Sequence, residues 1–389
     1  MSLQVTWHSR ANAIPADLWE RFFRVPFEGQ FWYRSIEMGC LDPCEYNYGL
    51  LHRGSKVVGL MPAFVFEMPI DLILPPASRQ ALKRSFARLC GIRKLRIFFV
   101  GSVGGEEGHV GLDASLSLRN VALQLHDAAR ARATLVGARF LVWKDFTTND
   151  AVALDDLCVL RRAFRIPSFP GSEIQLVQGG YESFLRTQTA ARRYKIKRKF
   201  SIGKSVLPTQ TRLIATPTPA DVNRLFKLFQ QTYERGAVKF ESLTEAFFLQ
   251  AAQAVETQFI VLETLSSREP VAFMLLLRLG ERVINRFVGI DYARGTQTYL
   301  SFRLFAAAYD WAASTGARVL QSGQTGYVAK LDLGHNLVPL FNYCEHSNRL
   351  VNAVLARASR DTTWESLDRS LSAHVRANRV CRPRSRTAP

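Results

Sequence analysis

Apolar residues set the periods along this chain. Leu18, Trp19, Phe22 and Phe23 fall on one helical face behind Pro15, so 15–40 reads as helix. Two strand-like runs come next, 45–52 (EYNYGLLH) and 56–66 (KVVGLMPAFVF), with Arg53-Gly54-Ser55 as the hairpin turn between them. Segment 68–93, with Pro69, Pro75 and Pro76 and then a basic stretch, reads as an insertion. A strand over 94–103, a helix over 115–135 and a strand over 138–144 complete the first half. The Pro-rich joint RIPSFPGS at 165–172 separates it from a second half. That half reads as EIQLV, a helix over 180–200, helices over 219–235 and 243–255, and strands over 257–265, 269–279 and 282–291. A helix over 297–315 and strands over 317–322 and 337–345 close it. The tail from 373 is basic and Pro-containing, the composition of a disordered end.

The order of elements repeats. The first half has paired strands, a strand ending Phe99-Val100-Gly101, a helix, and Gly137-Ala138-Arg139 opening the next strand. The second has paired strands around Ser266-Ser267-Arg268, a strand containing Phe287-Val288-Gly289, a helix, and Gly316-Ala317-Arg318 opening the next. The expectation is an α/β (α+β) protein of two like halves, each a mixed sheet flanked by helices, with boundaries 1–165 and 173–350. Residues 351–389 are expected to form a C-terminal helix and the basic tail.

Charge changes this picture more than size does. Fifty-one Lys and Arg stand against 33 Asp and Glu, a net +18, which suits an anionic partner such as nucleic acid, a phospholipid surface or a phosphorylated substrate. A solvated basic surface would give the same number. The six cysteines are scattered; only Cys40 and Cys44 lie close, without a second pair, so no zinc or other metal site is predicted and the thiols read as reduced. No apolar run reaches the length of a spanning helix, and the N-terminus has no signal-like pattern. The expected setting is cytoplasmic, either free or peripheral at the inner membrane.

Three stretches carry candidate chemistry. From Arg186 to Lys204 there are eight basic residues and no acid, including Arg192, Arg193 and Lys195, interleaved with Phe184, Leu185, Tyr194, Ile196 and Phe200. This is either a phosphate-binding or membrane-facing helix, or a solvated face that packs well. Next, the strand holding Phe287, Val288 and Gly289 leads into Arg294, Gly295 and Thr296 before a helix, whose N-terminus suits a pyrophosphate; a plain strand-to-helix turn looks alike. The strand end near Gly289 could supply a backbone N–H. Third, Gly323 and Gly326 flank Gln324 and Thr325 after a strand, and Tyr327 and Lys330, three apart, share a helical face. Tyr327 could relay a proton and Lys330 could orient an anion; a buried tyrosine beside a surface lysine is the plainer reading. His109 in Glu106-Glu107-Gly108-His109 could belong to a ligand cluster, with an acidic loop as the plainer reading, and Asp145 reads as a strand-end residue that could line a groove between the halves.

With these segments in place, the chain resembles the CelD/BcsL-type (BioF2-like) branch of the GNAT N-acetyltransferase superfamily, related to the Fem-type peptidoglycan aminoacyl transferases. The resemblance covers about 15–350 and rests on YESFLRTQTAARRYKIKRK, VAFMLLLRLGERVINRFVGID, WAASTGARVL and GQTGYVAKLDLGHNLVPLFNY. It implies two tandem GNAT-like halves and acyl transfer from a thioester to an amine. Acyl-CoA (as co-substrate, with no permanently bound cofactor) or acyl carrier protein would be the donor. Tyr327 and Lys330 match the family's Tyr-x-x-Lys element. Of the superfamily's glycine-rich R-G-x-G-x-G/A loop, Arg294-Gly295-Thr296-Gln297-Thr298-Tyr299 keeps only Arg-Gly, a departure shared by the Fem-like branch, whose donor is aminoacyl-tRNA. The leading expectation is an acyltransferase (EC 2.3.1 class) acting on an amine of a cell-envelope, lipid or polysaccharide precursor. The alternatives are an aminoacyl-tRNA-dependent transferase, with tRNA as partner, and a non-catalytic scaffold.

Overall fold

A computed structural model of the protein describes residues 3–39, 44–69, 94–236 and 242–375. The 68–93 insertion (but for its first two residues), Cys40, Cys90, Cys381 and the tail beyond 375 lie outside the described residues.

The described strands are β1 (Gln4–His8), β2 (Cys44–Arg53), β3 (Lys56–Pro69), β4 (Lys94–Val100), β5 (Gly111–Leu112), β6 (Phe140–Thr147), β7 (Phe164–Pro167) and β8 (Gly171–Gln175). They continue with β9 (Thr209–Ile214), β10 (Thr257–Thr264), β11 (Pro270–Leu279), β12 (Arg282–Ile290), β13 (Val319–Gln321), β14 (Asn336–Val338) and β15 (Leu340–His346). They build two mixed sheets, β1-β2-β3-β4-β6-β15-β7, with β5 on β3, and β14-β8-β13-β12-β11-β10-β9. The fold is α/β, as the alternation of periods predicts.

The two sheets repeat one unit. In each, two parallel strands (β4 and β6; β12 and β13) are joined by a crossover helix, Leu118–Leu135 or Leu300–Ser314. Gly137 and Gly316 come after these helices with φ of +73° and +78°, the left-handed conformation that ends a helix at glycine. Ala138 and Ala317 behind them are buried in the two cores. The Phe-Val-Gly match, by contrast, is displaced. Ile97 pairs with Phe140, three residues past Gly137, and Arg282 with Val319, three past Gly316. Phe99 therefore lies two residues beyond its reference position and Phe287 five, one of which a β-bulge absorbs.

β11 shows why its sequence runs almost unbroken in apolar residues. Ala272, Met274 and Leu276 pack under helix Leu300–Ser314, while Phe273, Leu275 and Leu277 pack toward helices Pro219–Arg235 and Glu245–Ala251. A strand covered on both faces has no polar alternation. The second of these cores also takes Trp32 and Ile36 from helix Gln30–Gly39 of the first half. Thr244 donates its N–H and hydroxyl to the Gly39 carbonyl, at 2.8 and 3.1 Å, and ties the halves together there.

Several expected elements divide. The 15–40 helix is two helices, Ala16–Phe22 and Gln30–Gly39, because Pro26 and Gly29 interrupt it. The 180–200 helix is Gly180–Thr187 and Ala190–Val206, where the Thr189 side chain accepts from the Arg192 N–H as N-cap. The expected 337–345 strand is β14 in the second sheet and β15 in the first, between β6 and β7. The chain thus returns to its first sheet after building the second, and the sheets do not separate at one point in sequence. β15 is locked there by Glu345, which accepts from His126 at 2.8 Å and from Arg130 at 2.9 Å.

Candidate active site

β12 and β13 pair only from Arg282–Val319 to Ile284–Gln321 and then part, opening a wedge in the sheet. On its other edge β12 carries a bulge. Leu275 faces Phe287 while Leu276 faces Asn285, so Arg286 is the extra residue. Asp291 N–H donates to Val271 of β11, and alternation along the strand sends the Gly289 N–H the same way. The N–H groups of Val288 and Ile290 then face away from β11. The Ile290 N–H is taken by the Thr232 hydroxyl at 3.0 Å, which leaves Val288, rather than Gly289, to offer an amide to the wedge. Gly289 serves packing instead: a Cβ there would overlap the Phe273 ring and sit 2.7 Å from the Phe229 nitrogen.

The loop after β13, Ser322-Gly323-Gln324-Thr325-Gly326, bends through positive φ at 323, 325 and 326 into the short helix Tyr327–Leu333. That geometry aims Lys330 back at the strand end. Its ammonium donates to the carbonyls of Ser322 and Gly323, the latter at 3.0 Å, which commits two of its three protons. Burial pulls Lys330 down to about 8, opposed by the Glu106 carboxylate. The Gln324 Nε2 is buried without a hydrogen-bond partner among the described residues, an orphan donor beside the wedge. Tyr327 does share a face with Lys330, whose Nζ lies 6.0 Å from its ring centroid. Its phenol, however, is 1% exposed, donates to the Pro170 carbonyl at 2.8 Å, and is pushed by burial well above the usual phenol range. The expected proton relay is therefore corrected to an anchor for the loop.

The first half supplies charges that local pattern does not single out. The loop Gly101–His109 enters the wedge region, and Arg286, with its side chain 2% exposed, ion-pairs with Glu106 at 3.2 Å and with Glu28, and donates to the Gly104 carbonyl at 2.6 Å. Glu107 accepts from Gln321 at 3.0 Å and pairs with Arg282 at 3.4 Å. Glu28 comes from the break in the first helix, where no periodicity points to it. A shallow notch lies between Glu106, Glu107, Ser172, Gln321 and Leu340. Behind Lys330, His335 bridges the Lys330 carbonyl and the Ser322 hydroxyl, each at 3.0 Å, and burial lowers it to about 3, so it is neutral. His109 stacks on Phe27 and is held near 4 by burial, a packing residue. Asp145 does not line an open groove: it is 2% exposed and held by the Ser168 hydroxyl and the Lys144 ammonium.

The expected phosphate residues lie apart, at the far end of β12. Arg294 is neutralised by Asp291 at 2.9 Å and Glu269 at 2.6 Å. Between 293 and 299 five backbone amides already donate inside the loop. Ala293 gives to the Asp291 carboxylate, Arg294 to Asp291 O, Gly295 to Tyr292 O, Thr298 to Gly295 O and Tyr299 to Thr296 O. Gly203 of the basic helix presses on the Thr298 carbonyl, and the Arg303 guanidinium bonds Gly203 O and Leu207 O, both at 2.9 Å. A diphosphate there would have the amides of Thr296, Gln297 and the first turn of helix Leu300–Ser314 to bond, the other five being taken. In the basic helix, Lys195 and Lys199 hold Asp332 at 2.9 and 3.1 Å, Arg192 bonds Gln188 at 2.9 Å, and Arg193 bonds the carbonyls of Arg186 and Gln188. Phe287 packs among Phe229, Phe247, Phe248 and Trp32.

A crossover-linked pair of parallel strands, with a cation and a carboxylate converging where their pairing ends, can hold and polarise a carbonyl. In agreement, residues 190–330 match the model of the acetyltransferase (GNAT) domain, which supports a transferase. Among solved structures, that of FemX aligns at 10% identity and TM-score 0.57, covering 92% of this chain and 100% of its own. That of L-PGS from Bacillus licheniformis aligns at 10% identity and TM-score 0.51, covering 86% of this chain and 92% of its own. At such identity both speak for the fold. No curated protein sequence matches. No helix among the described residues is long and apolar enough to cross a membrane.

Proposed function

We propose that this chain transfers an acyl group from a thioester to an amine at the β12–β13 wedge, as a member of the CelD/BcsL-like branch working on an amine of a cell-envelope, lipid or polysaccharide precursor. One observation carries the reading: Lys330 from the second half and Glu106 from the first converge where β12 and β13 part. The wedge holds the thioester carbonyl against the Val288 N–H. The amine enters from the side of the first half and gives its proton toward Glu106. Its nitrogen bonds the carbonyl carbon, and the oxyanion is met by the Val288 N–H and the remaining Lys330 proton. The oxyanion then collapses to the amide carbonyl, the C–S bond breaks, and the proton taken by Glu106 passes to the leaving thiolate. Positioning and charge do the work, so the chemistry needs no nucleophile on the protein.

An aminoacyl ester is the second donor reading. It draws support from the partly filled 293–299 loop and from the fold shared with FemX.

The test is thiol release from a panel of acyl thioesters with primary amines. Lys330→Met and Glu106→Gln are expected to lower kcat by about a hundredfold or more while the chain stays folded. Variants as active as the native chain overturn the site. A native chain that releases no thiol from any donor overturns the thioester reading.

A further inference from the structure

We propose that the acyl donor is presented by a small acidic carrier protein whose acidic helix docks on the solvent face of helix Ala190–Val206, with its phosphopantetheine thioester reaching into the β12–β13 wedge. This rests on the acyl-transfer reading and selects between the donors it leaves open.

Two independent features point this way. The first is the loop at 291–299, where the amides of Ala293, Arg294, Gly295, Thr298 and Tyr299 are bonded internally, so a coenzyme A diphosphate would find only those of Thr296, Gln297 and the first turn of helix Leu300–Ser314. A carrier-borne arm has one phosphodiester and no diphosphate to cradle, so it asks less of this partly filled loop.

The second is the face itself. Arg193, Tyr194, Lys197, Arg198, Ser201 and Lys204 keep the i, i+3, i+4, i+7 spacing of one helix face, and all but the half-buried Arg193 are exposed. No acid lies between Arg186 and Lys204. Lys197 pairs with Glu182 of the preceding helix, but both side chains are about half exposed, so that pair is weak. Arg198 and Lys204 have no ion-pair partner among the described residues. Ser201, with Ala190 and Ser205 on the same line, sets short side chains on either side of Tyr194 along this face. Tyr194, 69% exposed, adds one aromatic contact. Cations along this face complement an acidic helix. A membrane surface would favour a row of aliphatic side chains, and single-stranded RNA several stacking rings; this face has one ring.

The opposite side of the same helix is built into the site. Lys195 and Lys199 clamp Asp332 on the helix that carries Lys330, and Gly203 abuts the Thr298 carbonyl. A docked carrier therefore stands about one helix diameter, roughly 10 Å, from the loop beside the wedge. The transfer balances as thioester plus amine giving amide plus carrier thiol.

The experiment compares one acyl group on three donors: an acyl carrier protein, coenzyme A, and N-acetylcysteamine, which lacks carrier and phosphates. Each is given to the native chain and to the Arg198→Glu/Lys204→Glu variant. The native chain is expected to prefer the carrier by about tenfold or more in kcat/KM, with the preference shrinking as salt rises. The variant is expected to lose about tenfold with the carrier, through KM, and nothing with N-acetylcysteamine. Equal use of coenzyme A and carrier, or a variant unchanged on the carrier, overturns docking and leaves the transferase reading intact. Anisotropy titration of labelled holo-carrier against both chains separates the two further. Carrier binding lost in the variant, without turnover of any thioester, upholds docking and overturns the thioester chemistry. Binding of tRNA but not carrier overturns the proposal.

Discussion

Arg286 offers the sharpest energetic test of how the two halves meet. Its side chain is 2% exposed, against 7% for Glu28 and 10% for Glu106, its two carboxylate partners. Its guanidinium also lies 4.4 Å from the Trp32 ring centroid. Arg286→Met keeps much of the length that packs on Trp32 but leaves two buried carboxylates without their cation. Breaking a buried pair in this way costs about 3–5 kcal/mol, because the remaining charge is stranded in low dielectric. For a chain of this size that is a fall of roughly 4–6 °C in Tm. The assay is urea and thermal unfolding monitored by tryptophan fluorescence, to which Trp32 contributes with the five other tryptophans. Replacing the whole group, Glu28→Gln/Arg286→Met/Glu106→Gln, is expected to recover more than half of that loss: the three charges leave together, and the Lys330 ammonium, which loses the Glu106 carboxylate, keeps the Ser322 and Gly323 carbonyls. An Arg286→Met chain within about 1 kcal/mol of native would refute the reasoning, and so would a triple variant no better than the single one.

Three further residues give outcomes of their own. Lys330, lowered to about 8, is required as the ammonium, so kcat/KM is expected to fall as pH rises through about 8, with no such inflection in the residual activity of Lys330→Met. Its stability effect runs the other way. The unfolded chain binds the extra proton between about 8 and the ordinary lysine value, so the cost of burying the charge is full below 8 and is relieved as pH rises across that window. Tyr327→Phe deletes one bond to Pro170 and is expected to cost about 1–2 kcal/mol in denaturant unfolding while changing kcat less than threefold. Gly289→Val, forced against Phe273 and the Phe229 backbone, is expected to destabilise by about 3 kcal/mol or more, read as a lowered midpoint or insoluble expression.

The architecture is legible in sequence where periodicity is strong. The Gly-Ala-Arg repeat marks equivalent turns because both glycines end crossover helices with positive φ. Phe-Val-Gly misleads because a tripeptide carries no register. One apolar stretch at 337–345 conceals two strands, since pairing partners in different sheets leave no mark on local pattern. Lys330 and Gln324 are visible from the glycine-flanked loop. Glu106, Arg286 and Glu28 are not, because the wedge is assembled from three distant segments and only tertiary packing brings their charges together. Spacing places Tyr327 beside Lys330, but burial decides what a phenol can do, and burial is not local. The loop at 293–299 is a similar case, since amides bonded inside a loop look no different in sequence from amides it offers.

The central claim, that acyl donors sit in the β12–β13 wedge against Lys330, is tested most directly by affinity labelling. A bromoacetyl thioester applied near pH 8, where Lys330 is half neutral and nucleophilic, should alkylate that lysine first among all lysines, with an unreactive acyl thioester protecting it. Peptide mapping showing Lys330 unmodified while surface lysines are labelled at random, or labelling that the unreactive thioester does not slow, would contradict it.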